Sequence, residues 1–351
     1  MKKKHNLVII FGAGATRGAF QKQTMPPPVD KDFFDIAGQA VGHGTPRLAK
    51  QVIKDVFDLY GRVSGVGLEQ YFRDIETRAE ISSFAKSKNK PKDWKKRQRN
   101  LEELVRRVLL HTTCDFSQQP ATGKKSAVHQ AILSYCKTQD TLITFNYDTV
   151  IEESIPNKVK WNPKNGYGTQ ASGITGNWAT GWLVEHRCDS NIQNQVHLLK
   201  LHGSLNWTLY KTNKVRLKPR PYVVRSNRGN PVFDKCSILP PGWHKRISVN
   251  PYCQLWQEAR LKIESCSALA IIGYSLPETD LLARAFFAEV SRLRAKRKEF
   301  LSHLYVADPD ESVKDRFVNL FAPALGPKGH VYRYKSISDL NRAWKKSRPK
   351  R

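Results

Sequence analysis

The chain has 351 residues, of which 40% are hydrophobic and eight are tryptophan, so it can bury a substantial core. Its 59 lysines and arginines against 31 aspartates and glutamates give a formal net charge of +28, which favours association with nucleic acid or other polyanions. The six cysteines show no C-x-x-C spacing, which argues against a zinc ribbon or a redox motif. No run approaches the roughly 18 apolar residues of a membrane span. We therefore predict a cytoplasmic protein with no metal and no membrane contact.

Five short aliphatic runs are typical of strands that are buried on both faces of a parallel sheet. The runs cover residues 7–11, 141–145, 197–201, 268–272 and 303–307. The residues that directly follow them are Gly12, Asn146, His202, Gly273 and Asp308. Open α/β sheets bind ligands outside the carboxyl ends of their strands. We therefore predict an α/β fold with a Rossmann-like, doubly wound parallel sheet, in which these five positions converge on one crevice.

The whole chain is predicted to form one domain, residues 1–351, with a helical insertion at approximately residues 45–136. Apolar residues repeat there at three- and four-residue intervals in residues 68–81, 101–111 and 126–137. Residues 157–195 are rich in Gly, Asn and Trp, and we expect long functional loops. Basic clusters occupy residues 86–99, 211–233, 291–298 and 345–351, and residues 321–351 are interpreted as a basic C-terminal tail region.

A glycine-rich turn follows the first predicted strand. Gly12, Ala13, Gly14 and Thr16 belong to the sequence G-A-G-A-T, and glycines at such a turn let the backbone approach a pyrophosphate. Arg17 stands where the full G-x-G-x-x-G pattern has its third glycine. A tight structural turn is an equally good interpretation of these residues.

Asn146, Asp148 and His202 are the candidate catalytic residues. An asparagine amide both donates and accepts hydrogen bonds, so Asn146 suits a water molecule or a ribose hydroxyl. His202 ends a predicted strand, and histidine suits general base catalysis near neutral pH. Two structural alternatives stay open. Asp148 would cap a helix predicted at residues 149–155, and a single histidine at a strand end is often part of the core.

Two further motifs suit the binding of a nucleotide. Gly273, Tyr274 and Ser275 follow the fourth run and precede a helix predicted at residues 278–292, so their backbone can approach a phosphate or a ribose. Asp308 follows the fifth run, and its carboxylate suits the hydroxyls of an adenosine ribose. The alternative is that Asp308 caps the next helix.

In this order the motifs resemble those of the sirtuin-like NAD-binding superfamily. The matching residues are G-A-G-A-T at 12–16, N-Y-D at 146–148, L-H-G-S at 201–204, G-Y-S-L-P at 273–277 and D-P at 308–309. More specifically, the chain is similar to the prokaryotic sirtuin-like proteins of antiphage defence over roughly residues 6–320. Two departures argue against protein deacylation. The four-cysteine zinc module of deacylating sirtuins is missing, and Phe145 stands where they carry glutamine.

The resemblance implies an NAD glycohydrolase that cleaves NAD to ADP-ribose and nicotinamide without a metal, as the effector of a bacterial abortive-infection system. Asn146 would orient water or a ribose hydroxyl, His202 would act as general base, and Asp148 would support both electrostatically. The NAD-binding residues that the resemblance implies are Gly12, Ala13, Gly14, Thr16, Gly273, Tyr274, Ser275 and Asp308.

Because unregulated NAD cleavage would kill the host cell, the resemblance also implies that activity is gated. Related proteins often carry a fused sensor domain, whereas only 31 residues follow Leu320 here. We therefore expect regulation by homo-oligomerisation or by an operon-encoded partner, such as a HerA-type ATPase or an Argonaute-like protein. Two rival hypotheses remain: a sirtuin-like module that binds nucleotides or nucleic acid through its basic segments, and an ADP-ribosyl transferase or deacylase.

Overall fold

The structure is a computed structural model. It describes residues 6–40, 45–84, 91–115, 122–163, 165–168, 173–174, 195–209, 215–217, 223–225, 231–233, 237–239, 248 and 251–350. Most of the loops predicted at residues 157–195 lie outside the described residues, as does most of the basic segment 211–233. The first part of the basic segment 86–99 also lies outside them.

The centre of the fold is a six-stranded sheet in which every strand is parallel to its neighbours. The strands are β1 (Leu7–Phe11), β2 (Thr141–Thr144), β3 (His197–Lys200), β4 (Ala268–Ile272), β5 (Leu301–Ala307) and β6 (Leu325–Tyr334). They lie in the order β3-β2-β1-β4-β5-β6, which is the order of Rossmann-like doubly wound folds. Every residue of β1 and β4 is buried, which explains their unbroken aliphatic sequences. The predicted α/β class and the five predicted parallel strands are confirmed.

Helices cover both faces of this sheet. In chain order they are α1 (Ala13–Phe20), α2 (Phe33–Gln39), α3 (Thr45–Tyr60), α4 (Leu68–Phe84), α5 (Pro91–Thr113), α6 (Ala127–Leu133), α7 (Val150–Ser154), α8 (Tyr252–Ser265), α9 (Leu281–Arg297), α10 (Glu311–Phe321) and α11 (Ile337–Lys346). Helices α1, α6 and α11 pack together on one face, and α8, α9 and α10 pack together on the other. Within the described part of the chain, none of the helices combines the length and apolar character needed to cross a membrane.

The chain between β1 and β2 is largely helical and has a hydrophobic cluster of its own, built from α2, α3, α4 and α5. Edge-to-face aromatic contacts hold this cluster together; the rings of Phe34 and Tyr71 lie 5.5 Å apart between centroids. The helical periodicity predicted within residues 45–136 corresponds to helices α3 to α6. Their grouping into an inserted subdomain stays a prediction.

Residues 321–351, interpreted from the sequence as a basic tail region, contain a strand and a helix that complete the fold. Strand β6 pairs with β5 at the edge of the sheet. Helix α11 places Trp344 against Tyr305 of β5 and against Tyr135, with ring centroids 5.6 Å and 5.8 Å apart. The sequence of β6 did not predict a strand because Pro327 and two glycines interrupt it, and the pairing with β5 shifts at that point.

Candidate active site

The strand order reverses between β1 and β4, and the crevice at such a switch point is where open α/β sheets bind ligands. The turn after β1 and the turn after β4 touch each other here. Gly12 N–H donates to the Ile272 carbonyl at 3.0 Å, and Gly14 N–H donates to the Gly273 carbonyl at 2.8 Å. The structure therefore brings the first and the fourth sequence motifs together.

Close packing of these two turns explains why glycine occupies them. A Cβ atom at Gly12 would lie 2.5 Å from the Gly273 carbonyl oxygen. Gly273 has a φ of +59°, and a Cβ atom there would lie 2.1 Å from the Ala15 nitrogen. No side chain fits at such distances. The tight-turn interpretation thus accounts for the glycines directly, and pyrophosphate binding by the G-A-G-A-T turn stays a prediction.

The side-chain amide of Asn146 is fixed against the first turn. Its Nδ2 atom donates to the Gly12 carbonyl at 3.0 Å and to the Thr16 hydroxyl at 3.1 Å. Because a carbonyl oxygen only accepts hydrogen bonds, this contact determines which end of the amide is the nitrogen. Asn146 Oδ1 is left without a hydrogen-bond partner among the described residues, so it can accept a hydrogen bond from a ligand.

Asp148 continues this network into the core. Its carboxylate accepts hydrogen bonds from the Thr16 hydroxyl at 3.2 Å and from Val150 N–H at 3.0 Å, at the start of α7. Lys200, at the end of β3, donates to the Asp148 carbonyl and to Glu152 Oε1, the latter at 2.9 Å. Burial raises the pKa of Asp148 and of Glu152, and the Lys200 charge opposes both shifts. Asp148 therefore accepts the N–H of the first residue of α7, although Thr149 is the N-cap residue, and it is linked through Thr16 to Asn146.

His202 lies beside a group of aromatic rings. Its ring meets Phe145 edge to face at 5.0 Å, and Phe145 stacks on Tyr274 at 4.2 Å. The rings of Tyr147 and Trp256 lie 6.2 Å and 6.4 Å from the His202 ring. The second, third and fourth motifs thus share one aromatic cluster, with Phe145 at its centre.

Asp280 is a further charged residue of the site that the sequence motifs did not include. It caps α9 by accepting the Ala283 N–H at 3.2 Å, and it accepts the Tyr274 hydroxyl at 3.2 Å. Its Oδ2 atom lies 3.9 Å from His202 Nε2, and both side chains are almost fully buried. Burial and the charge of Asp280 raise the pKa of Tyr274 well above its usual value, so this hydroxyl keeps its proton.

The fifth motif adjoins the switch point through the backbone. Gly273 N–H donates to the Ala307 carbonyl at 2.8 Å, which places Asp308 next to the turn after β4. The Asp308 carboxylate accepts the Asp310 N–H at 3.0 Å, and burial raises its pKa. Arg316 of α10 donates to the Ser275 carbonyl. Asp308 thus stabilises the turn that leads into α10, and its contact with a ribose stays a prediction.

Asn146, Asp148 and His202 are 7%, 5% and 4% exposed, so all three candidate catalytic side chains are buried in this structure. Hydrogen bonds connect Asn146 to the glycine turn and, through Thr16, to Asp148. His202 lies next to this network through its ring contact with Phe145. Lys200 and Glu152 were missed because a lysine at a strand end and a glutamate in a helix look like surface residues in a sequence. Asp280 was detectable, since an aspartate before a helix is a common cap.

The fold and the site together define a Rossmann-like α/β protein with a candidate ligand crevice at the switch point. No group of three or more histidine, cysteine, aspartate or glutamate side chains that could hold a metal occurs among the described residues. Comparison with protein-family models gives no match, and a search of curated proteins finds no similar sequence.

Proposed function

We propose that the chain is an NAD glycohydrolase that cleaves NAD to ADP-ribose and nicotinamide. The observation that carries this proposal is the fixed amide of Asn146 at the switch point, which leaves Oδ1 available to a ligand. The resemblance of the motifs to sirtuin-like proteins of antiphage defence supplies the substrate. A role as the effector of such a defence system belongs to the same proposal and rests on that resemblance.

The reaction breaks the bond between the anomeric carbon of the ribose and the pyridinium nitrogen of nicotinamide. Nicotinamide takes the bonding electron pair and leaves as a neutral molecule, so the enzyme need not protonate it. Water adds to the anomeric carbon and loses one proton. In this proposal Asn146 Oδ1 accepts a hydrogen bond from the water or from a ribose hydroxyl, which orients the attack.

His202 would receive the proton that water loses, directly or through a ribose hydroxyl. The Asp280 carboxylate, 3.9 Å from Nε2, would stabilise the protonated ring electrostatically. Asp148 would act by holding Thr16, and through it the amide of Asn146. Lys200 holds the backbone carbonyl of Asp148 while its charge is paired with Glu152 in a fully buried contact, which supports a positioning role for Asp148.

The rest of NAD would bind along the two touching turns. The pyrophosphate would lie at the turn after β1 with Thr16, and the adenosine at the turn after β4 with Ser275 and Asp308. The burial of Asn146 and His202 favours a site that opens before NAD enters. That fits the expectation that homo-oligomerisation or a partner protein controls activity.

The proposal is tested by measuring nicotinamide release from NAD by wild-type protein, Asn146→Ala and His202→Ala. We expect both substitutions to lower the rate at least about 10²-fold, because each removes a group that acts on the attacking water. His330→Ala removes an exposed histidine of β6 and should leave the rate unchanged. Wild-type rates in both site variants would contradict the assignment of Asn146 and His202. If ADP-ribose is transferred to a macromolecule and not released, the protein is a transferase and not a hydrolase.

A further inference from the structure

Two basic segments that are well separated in sequence end at the same edge of the sheet. We call the edge at which the six strands begin the amino edge; it is opposite the candidate active site. Helix α9 carries Lys296 in its last turn and is followed by Lys298 just before β5 begins. Helix α11 follows β6 and runs back along the sheet, so its last turn, with Lys345 and Lys346, returns to the amino edge.

Other elements add exposed cations to the amino edge. Lys137 lies just before β2, and its N–H donates to Asp140 at 2.7 Å. The same carboxylate accepts the N–H of Leu7 at the start of β1, which places Lys137 at the beginning of the central strands. Lys328 lies in the irregular first part of β6, where the pairing with β5 shifts.

The C-terminal residues bring positive charge to His303 and Tyr305 in β5. Lys350 N–H donates to the Tyr305 hydroxyl at 3.0 Å. His303 of β5 stacks on His330 of β6, with ring centroids 5.5 Å apart. Burial lowers the pKa of His303, and the charges of His330 and Lys350 lower it further. Protonation at this position is therefore opposed by cations that surround it.

Most of this charge is not neutralised by ion pairs among the described residues. The exposed cations of the amino edge that form no ion pair with a described residue are Lys137, Lys296, Lys298, Lys328, Lys345, Lys346, Arg348 and Lys350. The carboxylate of Glu264 is already paired with Arg297 at 2.7 Å, and that of Glu258 with Lys262 at 3.2 Å. Glu299 adds one exposed carboxylate to the edge.

Helix dipoles explain part of this distribution. Cations at the carboxyl end of a helix are stabilised by about 0.3–1 kcal/mol, which accounts for lysines in the last turns of α9 and α11. This explanation does not extend to Lys137, Lys328 or Lys350, because none of them lies in the last turn of a helix. The amino edge is thus more basic than the dipoles require.

We propose that the amino edge binds the phosphate backbone of a nucleic-acid duplex. From β2, next to Lys137, to β6, with Lys328, the edge spans four strand spacings, or about 19 Å. Duplex DNA carries one charge per roughly 1.7 Å of its axis, so a segment of that length presents several phosphates to the edge at once. Cations from α9, α11, β6 and the segments next to them match such a linear polyanion.

A membrane surface fits these residues less well. Stable membrane binding needs apolar insertion or a lipid anchor in addition to basic charge. Of the large apolar side chains that are exposed among the described residues, Leu261, Leu281 and Val331 belong to elements that reach this edge, and Leu281 lies at the other end of α9. Leu261 lies on α8 and Val331 on β6, so they provide single side chains rather than an apolar patch.

The test measures binding of a 20-base-pair DNA duplex by fluorescence anisotropy between 50 and 200 mM salt, with an RNA duplex of the same sequence and anionic vesicles as parallel probes. The edge variant combines Lys296→Glu, Lys298→Glu, Lys345→Glu and Lys346→Glu. The control combines Lys50→Glu, Lys54→Glu, Lys95→Glu and Lys96→Glu, which are exposed lysines of α3 and α5. Both variants change the net charge by the same amount.

We expect the edge variant to lose at least about tenfold in duplex affinity at the lowest salt, whereas the control stays within about threefold of wild type. The slope of log K against log salt should become shallower by about 3 to 4 in the edge variant, since each phosphate contact contributes about 0.9. Equal losses of duplex affinity in both variants would overturn the proposal, because affinity would then depend on the net charge of the protein and not on the position of the lysines. Binding to vesicles without binding to either duplex would also overturn it.

Discussion

The amide of Asn146 is oriented by two acceptors of different kinds, a backbone carbonyl and a hydroxyl. Thr16 in turn donates to Asp148, whose carbonyl receives Lys200. This chain of contacts links the candidate catalytic amide to a buried ion pair, and each member restricts the next. An active site at this position would therefore depend on the buried Lys200 and Glu152 as well as on the residues proposed to contact the ligand.

Asp280→Asn tests the contribution of the carboxylate beside His202. Asparagine also caps helices, so α9 should stay intact while the negative charge is lost. We expect nicotinamide release to fall about 10²-fold, because the protonated imidazole loses its electrostatic partner. For the same reason the acid side of the pH–rate profile should move to lower pH. Asp310→Asn, which changes the cap of α10 in the same way, is the control. Equal rates for both variants would contradict the role of Asp280.

His129 predicts a pH dependence of stability. It is fully buried next to Ser126, and burial lowers its pKa from 6.5 to about 4. Since the unfolded chain takes up the proton first, the stability from this residue is complete above pH 6.5. It is lost as the pH falls towards 4, by about 3 kcal/mol in total. Urea unfolding of His129→Leu should lack this part of the pH dependence, and exposed His330→Leu should retain it. The same pH dependence in all three proteins would contradict the prediction.

At the level of elements, the contact between the turns after β1 and β4 determines the shape of the crevice. Gly273 needs glycine for two separate reasons, its positive φ and the backbone atoms that face it. Gly65 also has a positive φ, of +76°, but no atom lies within 4 Å of the position of its Cβ. Alanine at Gly65 would therefore incur only the conformational cost of a positive φ, whereas alanine at Gly273 would also overlap with neighbouring atoms.

Gly273→Ala should destabilise the protein by about 2–4 kcal/mol, because alanine adds overlap with α1 to the conformational cost. Gly65→Ala should cost only about 1 kcal/mol. The difference is measured as the shift in the midpoint of urea unfolding, with NAD turnover followed in parallel. Similar shifts for both variants would mean that the two turns do not pack as the structure describes.

The elements that the sequence predicts well are those whose burial is uniform. β1 and β4 are buried on both faces and read as continuous aliphatic runs. β6 alternates between exposed and half-buried residues at the edge of the sheet, so its sequence lacks that pattern. Helix α11 does carry a signal, because Ser336 caps it and Leu340 and Trp344 share one face. The lysines of the same segment led instead to its interpretation as a basic tail region.

The site is predictable only in part, for a related reason. Residues that follow strands are easy to find, since parallel strands end at one edge. Charged residues that are buried as a pair, such as Lys200 with Glu152, look like surface residues until their burial is known. Asp280 pairs with a residue far away in sequence, and only the fold brings it to His202.

At the scale of the whole molecule, the candidate active site and the exposed lysines of the further inference lie at opposite edges of the sheet. The carboxyl edge, where the strands end, holds the candidate active site with Asp148, Asp280 and Asp308. The amino edge holds Lys296 of α9, Lys345 and Lys346 of α11, and Lys328 of β6. This separation would allow a polyanion to bind at one edge without blocking the other. It is consistent with a protein whose chemistry and whose partner use opposite ends of one fold.

The most direct test of the central claim is incubation of the purified protein with NAD, with ADP-ribose and nicotinamide quantified by chromatography and thermal unfolding recorded with and without NAD. Wild-type protein should release both products in equal amounts, and Asn146→Ala should release neither while still unfolding in one cooperative transition. A protein that leaves NAD intact and whose melting temperature does not rise with NAD would contradict the account.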